Sequence, residues 1–362
     1  MGISKGTAKL LLNEQSKREF SGSILQLGRQ TFYFSEQEFS QWAEKMNTEL
    51  ADSDEKHPKD EIISDTLFFK LLGFEEVFSA DYSNYENPDF IFDLNTPVPE
   101  EYHNRFDVIY DGGTMEHCFN TFQVLKNIHL MLKRGGRVIH SSPSNNHVDH
   151  GFYMFSPTLF ADYYNANSWK VHTLNIFKYT RGHIYEPWLI YDYTPGCLEF
   201  YAFGGFNDDK LLGIWSICEK TGSSTKDVIP SQGFYTKTWS DVNNTVDSKI
   251  TFDAKGKKIK IFGASKLGEE ALTALSHDSE IIGFLDNNEK KNGTRFHNNP
   301  VMLPYDGMAN DCDYILIASL FAPEIYQQLL EFGISKEKIK CYGLHDMQLS
   351  SLDLFQNPIA IY

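Results

Sequence analysis

Strand-like apolar runs alternate with helical patterns along roughly the first 220 residues, and this alternation limits the fold more than any other feature of the sequence. The runs expected to form strands are 23–27, 76–80, 90–92, 106–110, 137–141, 169–174 and 211–218. The segments expected to form helices are 35–50, 62–72, 121–132 and 157–164. Such alternation is typical of a mostly parallel, doubly wound α/β sheet with helices on both faces.

The composition changes after residue 220, where Ser, Thr, Asn, Asp and Lys replace the apolar runs. A shorter series then follows, with strands expected at 258–262, 280–285 and 313–318 and helices at 267–275 and 323–331. The sequence therefore predicts a large α/β domain over 1–220, a polar linker over 221–256 and a smaller α/β domain over 257–362. Both domains are expected to be Rossmann-like.

The charge and cysteine content narrow the range of partners and compartments. Lys and Arg number 33 against 49 Asp and Glu, a formal net charge of −16, which repels nucleic acid. The five cysteines are scattered without a CxxC pair, which indicates reduced intracellular thiols. With no signal-peptide core and no apolar run of bilayer length, we expect a cytoplasmic protein without a membrane partner. The oligomeric state is left open, and a homo-oligomer is among the options.

An aromatic-rich stretch near 176–209 falls between two late strands of the first domain and is expected to be an insertion. Its aromatic residues include Tyr185, Trp188, Tyr191, Tyr193, Phe200, Tyr201 and Phe203. One interpretation is plain core, and the other is a surface for sugar-like or other flat substrates.

Polar residues and glycines follow the expected strands of the first domain, where an open parallel sheet binds its ligand. They are Gly28, Gln30, Asp81, Asp93, Asp111, Gly112, Glu116 and His117. A glycine there lets a ligand approach the backbone, and an acid after the second strand can accept both hydroxyls of a ribose. The same residue types also cap helices and make turns, so each has a purely structural interpretation as well.

Two stretches of the sequence carry a resemblance to a known family. They are Phe106-Asp107-Val108-Ile109-Tyr110-Asp111 through Glu116-His117, and Leu130-Met131-Leu132-Lys133-Arg134-Gly135-Gly136-Arg137-Val138-Ile139. With them, residues 23–219 resemble a class I S-adenosylmethionine-dependent methyltransferase domain.

This resemblance implies S-adenosylmethionine as the cofactor. It places Asp81 at the ribose, Asp93 at the adenine amino group, Gly28 at the methionine end and Asp111 beside the sulfonium. The first loop is Gly28-Arg29-Gln30-Thr31-Phe32, where the family usually has GxGxG. Either Gln30 donates hydrogen bonds to a slightly displaced cofactor, or cofactor binding has been lost.

Three histidines, His140, His147 and His150, lie in or just after the fifth strand. His150, and after it His147, are candidate general bases, because methyl transfer requires removal of a proton from the acceptor. Glu116 and His117 are further catalytic candidates. A divalent metal bound by His147, Asp149 and His150 is a weaker alternative, because the spacing matches no metal motif, and no metal is expected. The histidines could also simply bond the loop backbone.

The second domain carries a phosphate-binding pattern of its own. Gly263, Ser265 and Gly268 lie between a strand and a helix, and Asp286 follows the next strand, 18 residues beyond Gly268. This is close to a dinucleotide-binding fingerprint, with Ser265 in place of the middle glycine. Residues 257–345 resemble the small Rossmann-like domain of enzymes that modify sugars in bacterial polysaccharide synthesis. The resemblance implies a second nucleotide site, and the other interpretation is a structural or dimerising module.

Three functions are compatible with these patterns. The leading one is S-adenosylmethionine-dependent methyl transfer to a small-molecule acceptor, namely a sugar or a nucleotide-linked sugar. The second is a catalytically inactive binding or scaffold protein, which is favoured by the absence of the usual glycines from the loop that begins at Gly28. The third, a nicotinamide-dependent oxidoreductase that uses the second domain, is weakened by the shortness of that domain.

Overall fold

The computed structural model describes residues 2–53, 57–182, 186–198, 209–233, 236, 250–275, 279–305, 307–343, 354–355 and 357–362. The chain forms two compact units. The first comprises residues 1–194, 208–233 and 358–362, and the second comprises 195–207 and 234–357.

The first unit is built on a mixed sheet of nine strands within the described residues. A short strand β1 (Gly2–Ile3) precedes it and pairs with β3 (Thr31–Phe32). The strands of the large sheet are β2 (Ser23–Leu27), β4 (Glu76–Asp81), β5 (Phe90–Ile91), β6 (Phe106–Asp111), β7 (Leu132–Pro143), β8 (Lys170–Tyr179), β9 (Leu189–Asp192), β10 (Leu211–Glu219) and β17 (Ala360–Ile361). The expected strands are therefore present, most of them with longer bounds.

The strand order across this sheet is β17-β9-β8-β10-β7-β6-β2-β4-β5. β5, β4, β2, β6 and β7 run parallel to one another, whereas β10 is antiparallel to both β7 and β8. The parallel part is the doubly wound arrangement that the strand–helix alternation predicted.

Five helices accompany this sheet in the described part of the unit. They are α1 (Lys5–Lys17), α2 (Glu36–Lys45), α3 (Asp65–Leu71), α4 (Thr121–Met131) and α5 (Pro157–Ala166). No helix in the described part of the chain is long and apolar enough to span a membrane.

Helix α1 is a long element that the sequence did not predict. It buries Leu10, Leu11 and Leu12 but also an acid, Glu14, whose Oε1 accepts a hydrogen bond from Arg137 at 2.7 Å. Because its apolar residues are consecutive and a buried charge follows them, the helix lacks the one-sided pattern by which an amphipathic helix is recognised.

The expected linker over 221–256 is wrong in its first part. Residues 221–233 belong to the first unit and are held against the end of α5. The side-chain oxygen of Asn167 accepts the amide hydrogen of Val228 at 3.0 Å, and the Trp169 indole donates to the Thr225 carbonyl at 3.0 Å. A polar composition here reflects side chains that satisfy buried backbone groups, which a sequence pattern does not distinguish from a linker.

The boundary at the other end also needs correction. The second domain was expected to run to residue 362, but residues 358–362 return to the first unit. There β17 pairs antiparallel with β9, and the Ile359 amide donates to the Ile190 carbonyl at 2.7 Å.

The second unit is a smaller α/β layer. Its strands are β11 (Lys258–Phe262), β12 (Glu280–Leu285), β13 (Arg295–Phe296), β14 (Asn299–Met302), β15 (Tyr314–Ile317) and β16 (Ile339–Cys341), in the order β13-β14-β12-β11-β15-β16. Its described helices are α6 (Lys266–Leu275) and α7 (Ala322–Glu331). β13 alone is antiparallel to its neighbour among these strands, and the second, smaller α/β layer that the sequence predicted is present.

The ammonium group of Lys220 is bonded to the backbone at the C-terminal end of α4, next to His129. Lys220 donates to the carbonyls of His129 and Leu132, each at 2.7 Å, and the His129 ring packs edge-on against Trp169. Burial, and then the charge of Lys220, lower the pKa of His129 to about 4 from an ordinary 6.5.

The folded state therefore resists protonating His129 where the unfolded chain accepts the proton. This costs stability as the pH falls from 6.5 towards 4. We expect His129→Gln to lose less stability than the natural protein over that interval, measured as the urea midpoint at each pH. Parallel pH profiles for the two proteins would contradict this assignment.

Candidate active site

The sequence-selected residues of the first unit lie along one edge of its sheet, at or just after the carboxyl ends of the parallel strands. The strand order reverses at β2, from which the chain passes to β4 and β5 on one side and then to β6 on the other. The crevice beside the ends of β2 and β6 is where a doubly wound sheet binds its ligand.

Asp111, the last residue of β6, is fully buried at this edge. Its Oδ1 accepts the amide hydrogens of Thr114 and Met115, each at 3.1 Å, and its Oδ2 lies 2.7 Å from Nδ1 of His140. His140 is the neighbour of Asp111 across the β6–β7 pair, and its Nε2 lies 2.6 Å from the Tyr164 hydroxyl. The carboxylate is thus hydrogen-bonded on both oxygens by the protein's own groups, and its position beside a sulfonium stays a prediction.

Sequence reasoning did not select His140 and Tyr164 as partners of Asp111. A signal was available, because Asp111 and His140 are polar residues near the ends of two otherwise apolar strands that are consecutive in the chain. Parallel pairing of those strands in register brings the two side chains together.

The loop after β2 is packed against the loop after β6. Gly28 has a φ of +72°, and a Cβ at this position would lie 2.8 Å from Oγ1 of Thr114. Gln30 is buried and donates from Nε2 to the Gly28 carbonyl at 3.1 Å. A Cβ on Gly112 would lie 2.7 Å from Oε1 of Gln30. The structure thus brings Gly28, Gln30 and Gly112 together, and the Gln30 Oε1 is a buried acceptor without a partner among the described residues.

Asp81 and Asp93 end or follow the next two strands and are both half-buried. Oδ1 of Asp81 accepts the Ser83 amide hydrogen at 3.2 Å, and Oδ1 of Asp93 accepts two hydrogen bonds from Asn95, each at 2.8 Å. Within the described residues no hydrogen bond reaches the second oxygen of either carboxylate. These acids therefore keep acceptor capacity at the sheet edge, unlike Asp111.

The Cys118 thiol is influenced by the charges of all four acids at this edge of the sheet. The thiol is nearly buried, and burial, followed by the charges of Asp111, Asp93, Glu116 and Asp81, raises its pKa to about 12. Coulomb interactions strong enough to shift a pKa require nearby charges. Acids from three strand ends and one turn thus contribute to the electrostatics of a single position, an environment suited to a small cationic ligand.

Glu116 and two histidines form a second group at the same edge. Glu116 lies in a short 3₁₀ turn (Met115–His117) and is fully buried, with neither carboxylate oxygen hydrogen-bonded among the described residues. Its Oε1 lies 3.6 Å from Nε2 of His150 and 4.0 Å from Nε2 of His117. Burial, and then the charge of Asp111, raise the pKa of Glu116 to about 8. Burial lowers the pKa of both histidines.

The remaining histidine candidate is placed elsewhere. His147 lies 3.0 Å from the Tyr179 hydroxyl through Nε2, and its ring centroid is 5.7 Å from that of His150. Asp149 is exposed, with a φ of +68°, and is not part of the cluster. The alternative metal set of His147, Asp149 and His150 is therefore not assembled.

Exposed apolar side chains border the Glu116 cluster. The rings of Phe119 and Phe152 are 71% and 65% exposed and meet edge to face with centroids 5.6 Å apart. The Tyr153 hydroxyl donates to the Phe119 carbonyl at 2.9 Å, and Val148 and Met154 are also exposed. An exposed aromatic surface beside polar groups suits a flat or ring-shaped small molecule.

The aromatic-rich stretch follows the core interpretation where it is described. Trp188, Tyr191 and Tyr193 are buried, and Trp188 stacks on Phe177 and Tyr179 with centroids 4.5 and 4.8 Å away. The residues outside the described part of the chain are Tyr185, Phe200, Tyr201 and Phe203.

The glycines of the second-unit fingerprint have clear packing reasons. Gly263 has a φ of +123°, and a Cβ on Gly268 would lie 1.9 Å from the Gly263 carbonyl oxygen. The helix can approach the strand this closely only with glycine at position 268. Ser265 is exposed, and its carbonyl accepts the Glu269 amide hydrogen at the start of α6.

Asp286 departs from the fingerprint. Its Oδ2 accepts the Ala264 amide hydrogen at 3.0 Å and lies 2.7 Å from Nζ of Lys291, while Oδ1 accepts the Asn288 amide hydrogen at 2.9 Å. Both carboxylate oxygens are therefore bonded to groups of the neighbouring loops. A nicotinamide or nucleotide site would need this carboxylate to accept the ribose hydroxyls instead.

Comparison with known proteins adds a partial family match. A family model described as "C2185-like, N-terminal" matches residues 255–340, which cover β11 to β15 and the start of β16. A search of curated proteins found no significant match.

Solved structures resemble the chain at low identity. They include a 1,6-didemethyltoxoflavin N1-methyltransferase of Burkholderia thailandensis with bound S-adenosylhomocysteine (12% identity, 59% of this chain and 76% of that one, TM-score 0.29). A putative methyltransferase of Bacillus halodurans (11%, 59% and 98%, 0.32) and the trans-methyltransferase CalH with S-adenosylhomocysteine (12%, 59% and 55%, 0.31) are also similar. At these identities and TM-scores the likeness concerns the general fold alone.

The contrast between Asp111 and Asp81 yields a stability prediction. Both end parallel strands of the same sheet, but Asp111 is fully buried and bonded on both oxygens, whereas Asp81 makes one local hydrogen bond. We expect Asp111→Ala to lower the free energy of unfolding by about 3 kcal/mol or more, because it leaves buried donors unpaired. Asp81→Ala, the matched control, should cost about 1 kcal/mol or less. Equal urea midpoints for the two variants would contradict the network.

Proposed function

We propose that the chain is a cytoplasmic S-adenosylmethionine-dependent methyltransferase that acts on a small-molecule acceptor. The observation that carries this proposal is that Asp81, Asp93, Asp111 and Glu116 all lie at or soon after the carboxyl ends of the strands on the two sides of the switch point of the sheet. The order of its strands, with β4 and β5 on one side of β2 and β6 and β7 on the other, also agrees with the doubly wound sheet that the resemblance implies.

The residues at the edge fit the cofactor in charge and in hydrogen bonding. S-Adenosylmethionine carries a sulfonium, an ammonium, an adenine amine and two ribose hydroxyls, all of which acidic or carbonyl oxygens can bind. Asp81 and Asp93 each keep an uncommitted carboxylate oxygen for the ribose and the adenine amine. Gln30 offers the buried Oε1 that has no partner within the described residues, next to Gly28 and Gly112.

The bound cofactor would supply an activated methyl group. Transfer is then an in-line displacement, so the protein's work is to align the acceptor and to take its proton. His150 is suited to the proton, since its pKa is lowered by burial and its Nε2 lacks a hydrogen-bond partner among the described residues. Glu116 and His117 form a polar cluster with His150. The exposed rings of Phe119 and Phe152 form an apolar surface beside this cluster.

We further propose that the acceptor is a sugar or a nucleotide-linked sugar. The support is the resemblance of the second unit to domains of sugar-modifying enzymes, together with the glycines at 263 and 268, which hold a strand–turn–helix of phosphate-binding type. Ser265, exposed at the start of α6, would meet the phosphate in such a site. The committed carboxylate of Asp286 counts against a ribose contact there.

One observation favours the inactive alternative. The loop after β2 packs on itself through Gln30, in the place where the family usually has two further glycines. In that case the same fold would serve as a binding or scaffold protein.

Cofactor binding separates the two functions. Calorimetry of the full chain with S-adenosylhomocysteine is expected to show one site, and Asp81→Ala is expected to weaken it by about tenfold or more, through loss of a charged hydrogen bond. Asp286→Ala, the acid after the second strand of the other unit, is the matched control and should leave binding unchanged. Absence of binding at millimolar ligand would reject the enzyme and leave the scaffold function.

Turnover tests the polar cluster. With a panel of nucleotide sugars as acceptors, production of S-adenosylhomocysteine is expected to fall by about 100-fold or more in His150→Ala, the scale of a lost general base. His172→Ala removes a histidine whose Nε2 lies 2.8 Å from Glu219 in the strands beyond β7, and should retain activity. Full activity of His150→Ala would remove this residue from the mechanism.

A further inference from the structure

The Glu116 carboxylate lies in surroundings that a role in proton transfer does not explain. It is fully buried, and neither oxygen has a hydrogen-bond partner among the described residues. Buried carboxylates elsewhere in the unit are satisfied, as Asp111 is by two amides and His140 and as Glu14 is by Arg137. A buried carboxyl group with neither oxygen hydrogen-bonded is rare in native proteins and points to a missing partner.

Two imidazoles face this carboxylate. Nε2 of His150 lies 3.6 Å and Nε2 of His117 lies 4.0 Å from Oε1 of Glu116, and one ligating atom from each of the three residues falls within a mutual distance of 4.8 Å. Both separations are too long for a hydrogen bond. Two ligands at about 2.1 Å from one tetrahedral ion are about 3.4 Å apart, so these separations are close to those of ligands that share an ion.

The backbone holds the three residues in this arrangement. Glu116 and His117 are consecutive in the 3₁₀ turn, and the Glu116 carbonyl accepts the Phe152 amide hydrogen at 2.9 Å. A Cβ on Gly151 would lie 2.9 Å from the Glu116 carbonyl oxygen and 3.2 Å from Nδ1 of His117. Because glycine lets the loop press this closely on the turn, His150 reaches the carboxylate.

We propose that Glu116, His117 and His150 bind one divalent transition-metal ion. Two imidazoles and one carboxylate are a donor set typical of zinc and of other first-row ions with open coordination positions. The His117 side chain is 47% exposed, so the ion would be reachable from solvent and from the Phe119–Phe152 surface. Neither His147 nor Asp149 belongs to this set, which differs from the metal ligands that the sequence suggested.

The ion would change how the acceptor is activated, a part of the inference that rests on the proposed methyl transfer. A hydroxyl coordinated to a divalent ion would lose its proton at a lower pH than a free hydroxyl; its oxygen would then bond to the methyl carbon as the bond from that carbon to sulfur breaks, and S-adenosylhomocysteine would leave. The proton passes to solvent or to a nearby base, and no oxidant or reductant is consumed. His150 would then act as a metal ligand, so its removal would abolish turnover by removing the ion.

Metal binding to the full chain tests the site directly. Protein stripped with a chelator is titrated with Zn²⁺ against a chromophoric competitor, and Co²⁺ is added separately to read the coordination from its visible spectrum. We expect one equivalent of each ion. Glu116→Gln and His150→Gln should each weaken Zn²⁺ by about tenfold or more and should remove or shift the Co²⁺ bands.

Two further variants make the result decisive. His117→Gln alters a side chain that is 47% exposed, so we expect the variant to fold, and it should weaken Zn²⁺ binding even if the Glu116 variant folds poorly. His297→Gln disrupts an exposed histidine–carboxylate pair in the second unit, 3.4 Å from Glu269, and should leave binding unchanged. The proposal is overturned if no stoichiometric binding occurs, if His117→Gln and His150→Gln bind Zn²⁺ as tightly as the natural protein, or if His297→Gln weakens binding equally.

Calorimetry with S-adenosylhomocysteine on the chelator-treated protein separates this inference from the proposed function. Cofactor binding without Zn²⁺ binding rejects the metal site and keeps the methyltransferase. Zn²⁺ binding without cofactor binding keeps the metal site and rejects the methyltransferase.

Discussion

The carboxylate of Asp111 is the interaction on which the site depends. It is a charge taken wholly out of water at the end of a central strand, a costly arrangement unless its lone pairs are filled. Two backbone amides and the His140 ring fill them, and Tyr164 closes the network on the far side of that ring. Because the two amides belong to the chain just after β6, the same contact sets where the 3₁₀ turn begins.

The position of this turn sets the positions of the other residues at the sheet edge. Glu116 and His117 lie in it, and Cys118 follows directly, among the four acids. The loop after β2 contacts the start of the same segment through Thr114 and Gly112. One buried network inside the sheet therefore positions both the region proposed for the cofactor and the region proposed for the acceptor.

Much of the fold was predictable because the strands are short apolar runs, and their alternation with helices leaves few topologies. The acids of the site were predictable because they follow those strands. Their orientations were not: Asp81, Asp111 and Asp286 occupy similar places in the sequence pattern, yet a local turn, a histidine on the next strand and a lysine decide what each carboxylate does. Those partners are fixed by register and by loop geometry. Glu116, His117 and His150 were each candidates in the sequence, but their grouping was not predicted, since they come from two separate loops.

The strand β17 has a consequence for how the protein is made. Residues 360–361 complete the edge of the first sheet by pairing with β9, although the whole second unit separates the two strands in the chain. During synthesis on the ribosome, β9 therefore has an open edge for as long as it takes to translate more than 150 further residues. An unpaired strand edge can pair with another chain, so the first unit would be open to wrong association at β9 until residues 360–361 emerge.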